Sequence, residues 1–190
     1  IPALKLLINL GYQYLTPSEA LQLRDDRESN VLLTSILREQ LKKINTIKIG
    51  SKQAGFSDAN IERAIHSLKD IPLAEGLVNA SNQAYNLLRF GNALEQSIDG
   101  DKKSHTIQYI DWEKPENNVF HITEEFSVMR TGRKDTYRPD LVLFINGIPL
   151  AVIESKSPTI KTPLKEAISQ HIRNQLEDGV PDLYVYSQIL

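Results

Sequence analysis

Arg138-Pro139-Asp140-Leu141-Val142-Leu143-Phe144-Ile145-Asn146-Gly147-Ile148-Pro149-Leu150-Ala151-Val152-Ile153-Glu154-Ser155-Lys156 is the stretch that decides the fold. It reads as two apolar strands joined at Asn146-Gly147, the strongest short-range hairpin signal. Both strands are apolar at nearly every position, which predicts cover on both faces and a central place in a sheet. Three charged residues interrupt that texture: Asp140 where the first strand begins, and Glu154 and Lys156 where the second ends. Such groups are costly to bury unless they are paired, bound to a metal or used chemically.

Spacing alone puts Glu154 and Lys156 on one face of their strand, because side chains alternate with period two. Asp140 sets a condition. A strict two-residue turn pairs Ile145 with Ile148 and leaves Asp140 opposite Ile153, facing away from Glu154. An odd loop, with Gly147 in a G1 bulge and Phe144 opposite Ile148, returns all three to one face. The sequence therefore predicts either that loop or a bulge elsewhere in the hairpin. Two carboxylates and an ammonium gathered in this way suit hydrolysis of a phosphodiester. Asp140 and Glu154 are candidate ligands for Mg²⁺, a hard ion that takes oxygen donors and keeps waters, with the Ser155 carbonyl as a further ligand. Lys156 is the candidate for holding or deprotonating the attacking water and offsetting transition-state charge. The same spacing also allows a plainer use: a Glu154–Lys156 ion pair at a sheet rim and Asp140 as a turn cap.

Outward from the hairpin, the first hundred residues read as helical. Ile1 to Leu10 is a short helix stopped by Gly11. Thr16-Pro17-Ser18-Glu19 is a capping box that opens a helix to about Arg27. Ser29 or Asn30 opens a third, with Val31, Leu32, Ile36, Leu37, Leu41 and Ile44 at helical spacing. Ser57 caps a fourth, and a fifth runs from Leu73 to Phe90. Ser97 to Lys103 reads as a polar loop. Strands are expected near His105 to Asp111 and Val119 to Met129. Arg130 to Arg138 is a loop holding the one basic cluster, Arg130, Arg133, Lys134 and Arg138, against only Asp135; it is a candidate grip on phosphates. After the hairpin, Thr162-Pro163 starts a helix to about Glu177, and Leu183 to Leu190 reads as a last strand. The sum is a mixed sheet with helices on its faces. We divide it into a helical N-terminal part, 1–96, packed on a core, 97–190, as one continuous domain.

At 190 residues, with 41% hydrophobic and 24% charged side chains, the composition is that of a soluble globular domain. No apolar run approaches a membrane span, so no membrane partner is expected. The absence of cysteine excludes disulfides and thiolate chemistry and agrees with a cytoplasmic home. A net charge of −2 means that any nucleic-acid site is local. The start at Ile1-Pro2, without Met or a signal pattern, and the stop within the last strand lead us to expect a fragment of a longer chain. His66, His105, His121 and His171 lack mutual ligand spacing and are expected to be structural or surface residues. Tyr184 and Tyr186 are expected to pack on the last strand. A third carboxylate from the helical half is sought at Glu75, with Glu19, Glu39 and Glu62 as alternatives.

Pro139-Asp140 with Glu154-Ser155-Lys156 resembles the PD-(D/E)xK nuclease signature. The surrounding wording resembles one family closely, the N-terminal endonuclease domain of the type I restriction–modification R subunit. The phrases that carry the likeness are Leu10-Gly11-Tyr12, Ile110-Asp111-Trp112 through Asn118, Arg138 through Lys156, and Tyr186-Ser187-Gln188-Ile189. The resemblance implies a restriction-endonuclease-like fold and Mg²⁺-dependent cleavage of double-stranded DNA without sequence preference at the cut. By it, Asp140 and Glu154 become metal ligands and Lys156 the catalytic lysine. It further implies modification and specificity subunits as partners, and ATP used only by domains outside this chain. Two departures stand out. Ser155 replaces a bulkier apolar residue, and the family's Gln-x-x-x-Tyr motif reads Gln170 to Asn174 here, with Gln170 a DNA-contact candidate. Two other uses of the fold are a non-catalytic docking module and the nuclease domain of another DNA-processing helicase.

Overall fold

The computed structural model describes residues 2–50, 52–157, 159 and 161–190. The chain opens with α1 (Pro2–Asn9), which gives way to a turn at Gly11, φ +100°; Ile1, expected in this helix, lies outside the described residues. β1 (Gln13–Leu15) leads into α2 (Pro17–Gln22). There Thr16 Oγ1 accepts the Glu19 N–H at 3.3 Å while the Glu19 carboxylate takes the Thr16 N–H at 2.8 Å, the reciprocal pair of a capping box. α3 (Thr34–Ile44) begins later than Ser29 or Asn30. Asn30 is spent ahead of it, accepting the Leu32 N–H at 3.2 Å and donating to the Thr34 hydroxyl at 2.8 Å. Next come the hairpin β2 (Thr46–Ile49) and β3 (Lys52–Gly55), then α4 (Asp58–Lys69), capped by Ser57 as expected, and α5 (Leu77–Phe90). β4 (Asn92–Ile98), β5 (Asp101–Ile107), β6 (Phe120–Glu124), β7 (Val128–Met129) and β8 (Thr136–Tyr137) follow. The hairpin strands β9 (Leu141–Ile145) and β10 (Ile148–Ile153) precede α6 (Pro163–Asn174) and α7 (Pro181–Tyr186).

The central sheet has the order β1-β6-β9-β10, with β1 parallel to β6 and the other pairs antiparallel. It is a mixed sheet flanked by helices. On one face, Ala3, Leu4 and Leu7 of α1 cover Ile122, Leu141, Leu143 and Ala151. On the other, Val142, Phe144 and Val152 join the main core with Leu37, Ile61, Ala84 and Leu183. Fully burying side chains of this size stabilises by roughly 1.5–3 kcal/mol each. This two-sided cover explains the nearly unbroken apolar wording of the hairpin. Of the two hairpin strands only β9 is interior, however. β10 is the last strand of the sheet, with Ile189 alongside in an isolated parallel bridge to Ala151.

Several expectations change. Ser97 to Lys103 is not a loop: Asp99-Gly100, at φ +52° and +85°, turns a hairpin that pairs Ile98 with Asp101. The burial of β4 does alternate, but two of its inward positions are Asn92 and Gln96, and β5 is mostly exposed, so no apolar alternation marked them. The strand expected over Val119 to Met129 breaks after Glu124, where Glu125 takes φ +48° and its N–H bonds the Asp140 carbonyl at 3.2 Å. Leu183 to Tyr186 is helix, not strand. Pro181 at its first position and Asp182 in its first turn are helix-start chemistry, and a short apolar run does not by itself separate strand from buried helix. β1 and β2–β3 lie in the part read as helical. The 96/97 boundary falls inside β4, and β1 pairs with β6 across it.

Candidate active site

The hairpin register meets the condition set by Asp140. Asn146 and Gly147, at φ +53° and +83°, form a two-residue turn with Ile148 opposite Ile145. The pairing then shifts between Pro149 and Ala151, so that Ala151 lies opposite Leu143 and Ile153 opposite Leu141. Leu150 is the extra residue of a β-bulge. Continuing the shifted register places Glu154 across from Asp140, on the face shared with Val142 and Val152. The local causes are legible in the contacts. Pro149 has no N–H to give the ladder. The Leu150 carbonyl is taken instead by the Gln188 and Ile189 N–H groups, at 2.9 and 3.2 Å. At the other end the turn is clasped: Asn146, fully buried, accepts the Val119 N–H at 2.9 Å and donates to Tyr109 O at 2.9 Å and Asn118 Oδ1 at 2.7 Å.

Around Glu154 the polar groups interlock. The Glu154 side chain is only 3% exposed. Oε1 accepts the Tyr137 hydroxyl and Oε2 accepts Gln170 Nε2 at 2.9 Å. Gln170 Oε1 in turn accepts Lys156 Nζ, which lies 3.8 Å from Glu154 Oε2. Asp140 Oδ2 takes the Ser155 N–H at 2.6 Å. Burial holds the Glu154 carboxyl above its usual range; the Tyr137 hydroxyl pulls it down, and the Asp140 charge pushes it further up. Behind this set, the Tyr184 hydroxyl meets His171 Nδ1 at 3.0 Å, and burial pushes that phenol up to about 12. Each Glu154 oxygen accepts one hydrogen bond and so keeps a lone pair. Two neighbouring carboxylates with spare lone pairs, beside a backbone carbonyl, are donors of the kind a hard cation takes. Among the described residues no group of three or more His, Asp or Glu forms a metal cluster, so a cation here depends on these donors and water.

The remaining candidates are placed as follows. Gln170 lies inside the set, its amide spent between Glu154 and Lys156 rather than turned outward. The basic loop is less free than its sequence implied: Arg130 pairs with Asp135 at 3.3 Å, Arg133 with Asp178, and Arg138 with Glu125 at 3.9 Å. Lys134 is exposed and has no ion pair among the described residues. Asn174 is buried, with Arg130 Nη1 3.4 Å from its Oδ1 and no partner for its Nδ2. Glu19 serves its capping box, Glu62 pairs with Arg38 at 2.5 Å, and Glu39 and Glu75 are exposed on the helical part. Sequence reading missed two features. Tyr137 grips Glu154 from three residues before Asp140. A cavity of about 360 Å³ beside Lys156 is lined by Lys165, Glu166, Ser169, Gln170 and Arg173. The four-residue spacing of Lys165, Ser169 and Arg173 on α6 was the available signal for the second.

The phrases outside the charged residues also converge on this hairpin: Tyr12 packs edge-on to Phe120, Asn118 binds Asn146, and Gln188 and Ile189 bind Leu150. The sequence model described as type I restriction enzyme R protein N terminus matches residues 1–190, the whole chain. The chain belongs to that family. Among curated relatives of this R protein N-terminal domain, a Methanocaldococcus jannaschii protein bearing the name of the type I restriction enzyme MjaIXP endonuclease subunit is 32% identical over 99% of the chain. A second from that organism, bearing the MjaVIIIP name, is 33% identical over 84%. The type I restriction enzyme HindI endonuclease subunit of Haemophilus influenzae is 28% identical over 98%. The chain spans only 17%, 14% and 17% of the lengths of these three relatives. No helix among the described residues is long and apolar enough to cross a membrane.

Proposed function

We propose that this R protein N-terminal domain is a Mg²⁺-dependent DNA endonuclease that hydrolyses phosphodiester bonds of double-stranded DNA without sequence preference at the cut. It works within a complex with modification and specificity subunits, and ATP-driven translocation is the task of domains outside this chain. The observation that carries the reading is the bulge at Leu150, which sets Asp140 opposite Glu154 with Lys156 two residues on. The ion, when held by Asp140, Glu154 and the Ser155 carbonyl, supplies charge neutralisation at the phosphoryl oxygens and acidifies water. Repulsion between the Asp140 and Glu154 charges favours a cation between them. Lys156 has three N–H donors and spends one on Gln170, so two remain for the attacking water or the scissile phosphate. Gln170 holds the Lys156 ammonium and the Glu154 carboxylate in fixed relation, which removes reorganisation from the reacting state. The substrate strand follows the cleft along α6, where Lys165 and Arg173 meet its phosphates and Ser169 offers a hydroxyl.

The test is cleavage of supercoiled plasmid with Mg²⁺, by the protein in its assembled complex. Asp140→Asn, Glu154→Gln and Lys156→Met should each slow nicking by about 10²-fold or more. Undiminished cleavage by the Asp140→Asn/Glu154→Gln pair overturns the assignment. Wild-type restriction by a complex carrying Lys156→Ala points instead to a docking module.

A further inference from the structure

The Glu154 carboxylate is held at both oxygens, and one of the two grips comes from a residue outside the Pro-Asp/Glu-x-Lys pattern. Tyr137 is 7% exposed, at the end of the two-residue strand β8, where it pairs with Val128. Its ring lies in the main core, with the Arg130 guanidinium 5.6 Å from the ring centroid. Its hydroxyl reaches Glu154 Oε1 while Gln170 Nε2 holds Oε2. The short segment from Tyr137 to Asp140 thus delivers both the Asp140 carboxylate and the clamp on the carboxylate opposite.

We propose that Tyr137 is a positioning residue, whose hydroxyl fixes the plane of the Glu154 carboxylate so that its remaining lone pairs are aimed at a divalent cation shared with Asp140. This rests on the cation-binding reading given above. Groups that orient a ligating side chain contribute through it: removing one costs about 10–100-fold in metal affinity or activity. With Gln170 alone, the carboxylate is pinned at one oxygen and free to swing about it. An ordinary phenol is protonated at neutral pH and so serves as an O–H donor. Tyr137→Phe keeps the ring, its core packing and its contact with Arg130, and removes the hydroxyl that grips Glu154 and neighbours Tyr184.

The experiment is titration calorimetry with Mn²⁺ on the purified protein, comparing wild type, Tyr137→Phe and Glu154→Ala, with thermal melting of each. The expected result is Mn²⁺ binding about 10–100-fold weaker in Tyr137→Phe, with a melting midpoint near that of wild type, and no site-specific binding in Glu154→Ala. Affinity within about twofold of wild type, or tighter, overturns the positioning role; tighter binding identifies the hydroxyl as a competitor for Oε1. If wild type shows no binding that Glu154→Ala removes, the cation reading falls, and the positioning role with it. Should Tyr137→Phe not fold, the unaltered protein still decides. Mn²⁺ should produce a tyrosine near-ultraviolet difference band that Glu154→Ala lacks, and its absence refutes the contact.

Discussion

Gly147→Ala tests how the hairpin turn is seated against α3. Gly147 has φ +83°, and a Cβ there would stand 2.6 Å from the Leu33 carbonyl oxygen and 3.1 Å from the Leu37 nitrogen. Both are backbone atoms at a helix N-terminus and have no rotamer in which to yield. Gly100 offers a matched comparison: φ is +85° and no atom lies within 4 Å of the added carbon. The left-handed backbone costs either alanine roughly 1–2 kcal/mol, offset in part by about 0.4–1 kcal/mol from the stiffer unfolded chain. Gly147→Ala adds overpacking of about 1–3 kcal/mol. It also strains the 2.8 Å bond from the Leu33 N–H to the Gly147 carbonyl, worth about 1 kcal/mol. The two variants should therefore differ by about 2–4 kcal/mol, which in urea unfolding separates their midpoints by roughly 1 M or more. Equal losses for both would refute the claim that α3 and the turn share a rigid contact.

Three further outcomes follow from particular residues. His121 is 7% exposed with no hydrogen-bond partner at Nδ1, and burial lowers its pKa. The unfolded chain then binds the proton more readily, so stability is lost as pH falls through about 6.5 and below. His121→Leu should shrink the loss in urea midpoint between about pH 7 and pH 5, and an unchanged loss counts against this source. Asp178→Asn releases Arg133 from its ion pair and should tighten non-specific DNA binding a few-fold, steepening the salt dependence by about one unit. Unchanged binding says that Arg133 does not meet phosphate. Lys165→Gln with Arg173→Gln should weaken DNA binding and flatten the same slope by about two units, measured by a salt series on a duplex without a recognition site.

Local chemistry was readable where it was self-contained. The Thr16 and Ser57 caps, the Gly11 stop and the Asn146-Gly147 turn each depend on residues a few positions apart, and each holds. The strand-end charges were readable too, together with the parity problem they pose. The place of the bulge was not. It depends on Pro149, which has no N–H to donate, and on the Gln188 and Ile189 N–H groups taking the Leu150 carbonyl, a pairing without a sequence pattern. Tyr137 was hidden for the same reason: its importance lies in reaching Glu154 across the sheet, while locally it is one aromatic in a basic loop. Gln170 was visible as a helix residue, but its two partners, Glu154 and Lys156, were not. The strands β4 and β5 and the helix α7 went astray because apolar periodicity is the signal: β4 turns Asn92 and Gln96 inward, β5 is mostly exposed, and α7 is buried nearly all round.

The bulge at Leu150 decides which side chains at the end of β10 face the main core and which face α1. Straight pairing in its place would set Asp140 against Ile153 and turn Val152 out of the main core together with Glu154 and Lys156. The Gln188 and Ile189 N–H groups on the Leu150 carbonyl and the Val152 N–H on the Ile189 carbonyl hold this register from the side of the last residues. The register of the candidate site is therefore locked to the packing of the sheet: the charged residues cannot change face unless the two cores exchange their side chains.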